Sequence, residues 1–201
     1  MKTFNYKQFL IKEGVYDPGI FKAYFLAGGP GSGKSFVTSS AFAGLGLKLV
    51  NSDSVLEKYL KDAGLSLKIP DSEKSLRDPL RDRAKVTTQA RLDLYLRGRL
   101  GVIIDSTARD VAKIGRQQKL FKILGYDTYM IFVNTSLEVA LDRNKKRDRT
   151  VPEFVTRKSH KEIQSKMGIL HKMFTPGNFY IIDNNSSEKE LVTTTLNKAA
   201  S

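Results

Sequence analysis

Apolar positions along the chain follow two alternating rhythms. Short, nearly continuous apolar runs predict strands at residues 22–27, 47–50, 101–105, 128–134 and 179–183. Longer segments with helical spacing predict helices at 34–42, 54–61, 73–96, 111–124, 136–146, 152–171 and 187–198. Strands that are apolar on both faces and alternate with helices belong in a parallel sheet covered on both sides. The expected fold class is therefore α/β, with a five-stranded parallel sheet between two helical layers. No internal repeat or low-complexity tract interrupts the pattern. Residues 1–13 stand apart as an N-terminal leader or docking segment, and residues 20–201 form the expected single domain.

Composition narrows the chemistry. The 201 residues contain no cysteine, which removes disulfides, thiolate metal sites and a cysteine nucleophile. Two isolated histidines, His160 and His171, make a poor basis for a zinc site; at eleven residues apart they can share one helix face, and neither is assigned a catalytic role. No apolar run approaches the roughly 18 residues of a membrane span. With 34 Lys+Arg against 21 Asp+Glu, the net charge of +13 suits a polyanionic partner, either nucleic acid or a phosphorylated small molecule. The excess is clustered: residues 74–99 carry eight basic and three acidic side chains, and 142–149 carry five and two.

The strongest local signal is Gly28-Gly29-Pro30-Gly31-Ser32-Gly33-Lys34-Ser35, a complete G-x-x-x-x-G-K-S between a predicted strand and a predicted helix. Glycines let successive backbone N–H groups converge on a phosphate, and the helix that follows aims its positive end at the same point. The expected nucleotide site comprises Gly29, Pro30, Gly31, Ser32, Gly33, Lys34, Ser35 and Phe36, with Lys34 reaching the β- and γ-phosphates of ATP and the Ser35 hydroxyl on Mg²⁺. The fold class thus becomes a P-loop NTPase type.

Three further positions complete the expected site. Asp53 follows the second predicted strand, where a carboxylate can take the proton of an attacking hydroxyl, the role assigned to it here; the competing role is a cap on the helix expected from Ser54. Asp105 ends the third strand and suits a Mg²⁺ contact, with Thr107 and Arg109 behind it to hold substrate. Arg143 and Arg147 lie in a basic run that stops at Pro152, a candidate lid whose arginines neutralise charge developing during phosphoryl transfer.

These motifs together resemble the polynucleotide kinase and zeta-toxin branch of P-loop kinases over about residues 22–183. Asn51-Ser52-Asp53 is similar to the segment supplying the catalytic aspartate in both families. Arg143-Asn144-x-x-Arg147 followed by Val151-Pro152 resembles the lid of phage polynucleotide kinase, and Asp105-Ser106-Thr107-Ala108-Arg109 resembles a Thr-x-Arg element of zeta toxins. The resemblance implies a kinase moving the γ-phosphate of ATP to a hydroxyl, with Lys34, Asp53, Arg143 and Arg147 catalytic, Asp53, Thr107 and Arg109 on substrate, and Ser35 and Asp105 on Mg²⁺. One departure concerns the acceptor: the phage enzyme has an arginine three residues after its base, and Leu56 stands there in this chain. A phosphatase domain, which often accompanies such kinases, is not expected within 201 residues.

Residues 1–13 are similar to capsid-targeting leaders of T-even-type phage internal proteins, with Ile11-Lys12-Glu13 before Gly14 as the cleavage site. That similarity implies the cytoplasm of an infected host cell, or the virion, as the location. Three functions are carried forward. They are a kinase of a nucleic-acid hydroxyl (a polynucleotide 5′-OH or a hydroxymethylated base), a kinase of a small molecule such as a nucleotide-sugar, and a non-catalytic nucleotide-binding protein. Intact Lys34, Ser35 and Asp53 argue against the third.

Overall fold

A computed structural model describes residues 19–67, 71–105, 107–147, 150–174 and 177–185. Both the expected leader, 1–13, and the expected helix at 187–198 lie outside these residues. Five strands form one sheet: β1 (Lys22–Ala27), β2 (Lys48–Val50), β3 (Val102–Asp105), β4 (Asp127–Asn134) and β5 (Phe179–Asp183). Their order is β2-β3-β1-β4-β5 and every pairing is parallel. Six α-helices accompany them: α1 (Lys34–Ala41), α2 (Ser52–Asp62), α3 (Lys74–Arg97), α4 (Val111–Ile123), α5 (Leu137–Lys145) and α6 (Glu153–Met173).

Alternation along the central strand divides the core. Ala23, Phe25 and Ala27 of β1 face one side, where Ile114 and Phe121 of α4 and Ile163, Leu170 and Phe174 beyond them complete a cluster. Tyr24 and Leu26 face the other, against Val37 of α1, Phe42, Ile131 and Ile182. A third cluster, Val55, Leu56, Leu60 and Ala84, joins α2 to α3. Burial on both faces is why β1, β3 and β4 read as nearly unbroken apolar runs, whereas Leu49 of β2 and Ile181 of β5, on the outer strands, are exposed.

Topology then sets the site. The chain leaves β1, crosses to the outer strand β2, returns through β3 and passes β1 again to β4. Strand order therefore reverses around β1, and the crevice at its carboxyl end is where open α/β sheets bind ligands. The register Leu26↔Asp105 brings the end of β3 beside the loop that follows β1, and Val50↔Ile104 brings the end of β2 beside both.

Phe25 is fully buried, with its ring 5.7 Å from Phe121 and 5.3 Å from Phe174. Phe25→Ala leaves a cavity that the rigid sheet cannot close and is expected to cost about 3–5 kcal/mol. Urea denaturation followed by circular dichroism measures it, as a lower midpoint at unchanged slope.

Candidate functional site

The loop between β1 and α1 has backbone geometry that glycine alone supplies cheaply. Gly31 and Gly33 take φ of 79° and 90°. A Cβ added at Gly31 would collide with the Ala140 carbonyl, so the loop lies directly on α5. The loop is also tied from behind. The Ser32 carbonyl accepts from Thr135 Oγ1 at 3.1 Å and from Asn184 Nδ2 at 2.8 Å. Asn184, itself 4% exposed, passes the tie on: its carbonyl accepts from Arg143 Nη1 at 2.8 Å. His160 Nε2 lies 2.8 Å from the Thr135 carbonyl, and its backbone packs against Gly29.

Lys34 opens α1 and turns back over the loop. Its Nζ donates to the carbonyls of Gly28 (2.7 Å) and Gly29 (3.2 Å). Burial pushes the Lys34 pKa below its ordinary value; Asp105 and Asp53 oppose that shift, and Arg147 adds to it. The four side chains thus act on one another electrostatically.

On the opposite wall, Asn51 follows β2 and caps α2, its side-chain oxygen accepting from the Asp53 N–H at 2.7 Å. The helix starts at Ser52, ahead of the position expected from sequence, so the cap is Asn51 and Asp53 lies in the first turn. The capping role weighed for Asp53 is therefore filled by its neighbour. The Asn51 amide also donates to Asp105 Oδ2 at 2.7 Å. Burial raises the Asp105 pKa, with Lys34 pulling it back down. Its second oxygen, Oδ1, is buried without a hydrogen-bond partner. Among the described residues no three His, Asp or Glu side chains gather into a metal site. A buried carboxylate oxygen beside a phosphate loop suits Mg²⁺ held jointly with phosphates, the way this ion is usually bound.

These groups line a cavity of about 610 Å³ that brings together Gly29, Pro30, Gly31, Gly33, Lys34, Ser35, Asn51, Asp53, Asp105, Thr107, Arg143 and Arg147. Of the residues expected here, Ser32 and Phe36 do not line it: Ser32 is 3% exposed beneath the loop, and Phe36 packs on the apolar cluster under α1. Arg109 belongs to a second cavity of about 690 Å³, which shares Pro30, Asn51, Asp53, Asp105, Thr107 and Val151 with the first. Ala108 forms the turn between Thr107 and Arg109 with φ of 54°, a left-handed conformation held by burial.

The basic run after α5 is anchored more tightly than its composition suggests. Asn144, 4% exposed, donates to the Val151 carbonyl at 2.6 Å and accepts from the Val151 N–H at 3.1 Å. That pair pins both ends of the segment carrying Arg147. Asn51, Thr135, Asn144 and Asn184 were not read as site residues from the sequence. Only Asn51, a favoured cap residue directly after a strand, carried a local signal.

Lys34→Ala is expected to preserve the fold while nucleotide affinity, measured by calorimetric titration with Mg·ATP, falls by about 10–100-fold, the weight of one charged hydrogen bond. Stability should respond as well. The folded chain releases the Lys34 proton more readily than the unfolded chain, so between the lowered value and 10.5 the unfolded state binds more protons and stability rises with pH. Denaturation profiles across alkaline pH should show that rise in the wild type and its loss in Lys34→Ala.

Solved structures share the fold. A candidate kinase from Chloroflexus aurantiacus J-10-fl superposes with a TM-score of 0.63 at 18% identity, over 90% of this chain and 94% of that one. A gluconokinase from Sinorhizobium meliloti 1021 gives 0.54 at 15%, over 90% and 93%. The AvrRxo1-ORF1:ORF2 complex with ATP gives 0.59 at 16%, over 81% of this chain and 54% of that one. At such identities the likeness concerns the fold. No match was found among curated proteins. The AAA domain family matches residues 24–170, from the central strand through the phosphate loop to the last helix. The chain belongs to the AAA domain family, and carries its phosphate loop in a kinase-like P-loop domain.

Proposed function

We propose that the protein is a Mg²⁺- and ATP-dependent kinase that transfers the γ-phosphate to a hydroxyl of a nucleic acid, either a polynucleotide 5′-OH or a hydroxymethylated base. One observation carries the reading: Asp53 stands on the wall shared by the phosphate-loop cavity and the second, basic cavity. A general base must reach the acceptor hydroxyl while that hydroxyl faces the donor phosphate. A carboxylate serving two adjoining cavities meets that requirement.

The residues divide the work. Loop N–H groups and the start of α1 receive the donor phosphates, and Lys34, held over the loop by the Gly28 and Gly29 carbonyls, has its third N–H for a phosphate oxygen. Ser35 and Asp105 would hold Mg²⁺, which supplies charge neutralisation between the β- and γ-phosphates. The acceptor oxygen forms its bond to the γ-phosphorus as the bond to the β-bridging oxygen breaks. Asp53 takes the hydroxyl proton, and ADP leaves with the bridging oxygen. Arg147, on the pinned segment over the cavity, faces the charge that develops. Arg143 is partly committed to the Asn184 carbonyl, so its share includes holding the loop from behind.

A second reading, phosphorylation of a small molecule such as a nucleotide-sugar, draws support from Leu56. That side chain is 1% exposed within the α2–α3 cluster, so the helix carrying Asp53 offers no cation at this position. The location proposed with the first reading is an infected host cell, on the strength of the leader alone.

Transfer of label from γ-labelled ATP, compared between oligonucleotides with a free 5′-OH and a panel of nucleotide-sugars, tests the two acceptors directly. Label on neither rejects both. Asp53→Asn is expected to lower transfer by roughly 10²–10⁴-fold with Mg·ATP affinity nearly unchanged, because the amide keeps the shape but takes no proton. Since Asn51 is the cap, the variant should fold normally. Arg147→Ala is expected to lower the single-turnover rate more than it weakens ATP binding, the mark of a contact strengthened in the transition state.

A further inference from the structure

Beyond Asp53 the second cavity is lined by cations from two sides. Helix α3 contributes Arg77, Arg81 and Lys85 at four-residue intervals, a single helix face with steps of about 6 Å. The α4 side contributes Arg109 and Lys113. Away from the wall shared with the phosphate loop, the carboxylate lining this space is Asp110, and its Oδ1 is engaged as the α4 cap, accepting from the Lys113 N–H at 2.8 Å. Arg77 has Asp78 3.5 Å from its Nε, Lys85 donates to Asp82 Oδ1 at 2.8 Å, and Arg109 has Glu162 at 3.8 Å.

A solvated basic helix would turn its cations outward and its leucines inward. Helix α3 departs from that at two positions: most of its cations are exposed and Ala84 and Leu92 are buried, but Arg77 and Arg81 turn inward. Leu76, Val86 and Leu94 are 61%, 70% and 62% exposed, whereas Arg77 is only 8% exposed and Arg81 half-buried. Both arginines line the cavity, where an anion would find two charge-assisted donors a helical turn apart. The type of anion follows from charge. A carboxylate ligand brings a single charge, whereas a phosphate carries up to two charges on oxygens spaced for the guanidinium fork and can meet two of these cations at once. Phe154, 73% exposed at the rim, offers a ring face to a base.

We infer that this cavity is a phosphate-binding acceptor site: the hydroxyl compound presented to Asp53 carries a phosphate gripped by Arg77 and Arg81, with Lys85, Arg109 and Lys113 around it. The word acceptor rests on the kinase reading above; the phosphate site itself does not. A free nucleotide and the end of a polynucleotide both supply this chemistry, and the roughly 690 Å³ available suits one nucleotide unit.

The test is calorimetric titration of the full chain, loaded with ADP and Mg²⁺, using thymidine, thymidine 3′-monophosphate and a ten-residue oligothymidylate. Both phosphate-bearing probes should bind at least about tenfold more tightly than thymidine. Arg81→Gln should weaken them by about 10–100-fold, the weight of a charged hydrogen bond, with ADP affinity unchanged. A markedly tighter, steeply salt-dependent oligothymidylate identifies a polynucleotide end as the source, and equal affinities identify a free nucleotide. Thymidine binding as well as its 3′-monophosphate, or an Arg81→Gln affinity equal to wild type in a folded protein, overturns the inference. Label transfer measured on the same samples separates the two claims. A probe that binds through Arg81 but accepts no phosphate supports the site and counts against the kinase reading, whereas transfer that is indifferent to Arg81 does the opposite.

Discussion

The arrangement depends on one constraint: a phosphate loop must turn its N–H groups toward a single point, and its carbonyls must then find partners elsewhere. Here the Ser32 carbonyl is met by Thr135 and Asn184 from the ends of β4 and β5, and the carbonyls of Gly28 and Gly29 are met by Lys34. Buried carbonyls left unpaired would each cost on the order of 1–3 kcal/mol. The loop's shape is thus a property of three strand ends together. Arg143 extends the same chain of contacts by donating to the Asn184 carbonyl, which couples the base of the arginine-bearing segment to the loop.

The second organising feature is the pairing of Asn51 with Asp105. One side chain caps α2, places Asp53 in its first turn and holds one oxygen of Asp105, leaving the other buried and unpartnered. A carboxylate kept in that condition is poor for stability, since burial raises its pKa. It is well suited to a divalent cation arriving with phosphates. Strain at a site and support from its surroundings are the usual division in such folds, and the left-handed turn at Ala108 beside Thr107 fits the same description.

Seen from the sheet, two cavities adjoin at the carboxyl ends of β1, β2 and β3, with Asp53 and Thr107 between them. One is walled by a glycine-rich loop, the other by cations from α3 and α4. The basic stretch at 74–99 is therefore not a uniform surface: Arg77 and Arg81 turn into the fold while Arg83 stacks over Tyr59 at 4.9 Å. In α6, Arg157 is held by Glu153 in an i,i+4 pair outside the cavity wall. Charge density along the chain located the 74–99 stretch without distinguishing these fates.

Much of this was legible in the residues alone. The five strands follow from short apolar runs, those of β1, β3 and β4 buried on both faces, and they lie within a residue of where the pattern puts them. The phosphate loop was legible because its chemistry is contiguous: glycines, lysine and serine act within eight positions. The start of α2 was less so, since Asn51 became the cap and Ser52 the first helical residue in place of Ser54. What only the tertiary structure decided is which distant polar residues meet. Asn184 lies 152 positions from Ser32, and Asn51 lies 54 from Asp105; no periodicity relates either pair, because their contact is set by strand order rather than by spacing along the chain. The inward turn of Arg77 and the burial of Leu56 are likewise consequences of how α2 and α3 pack, a choice made by the whole core and invisible in either helix taken alone.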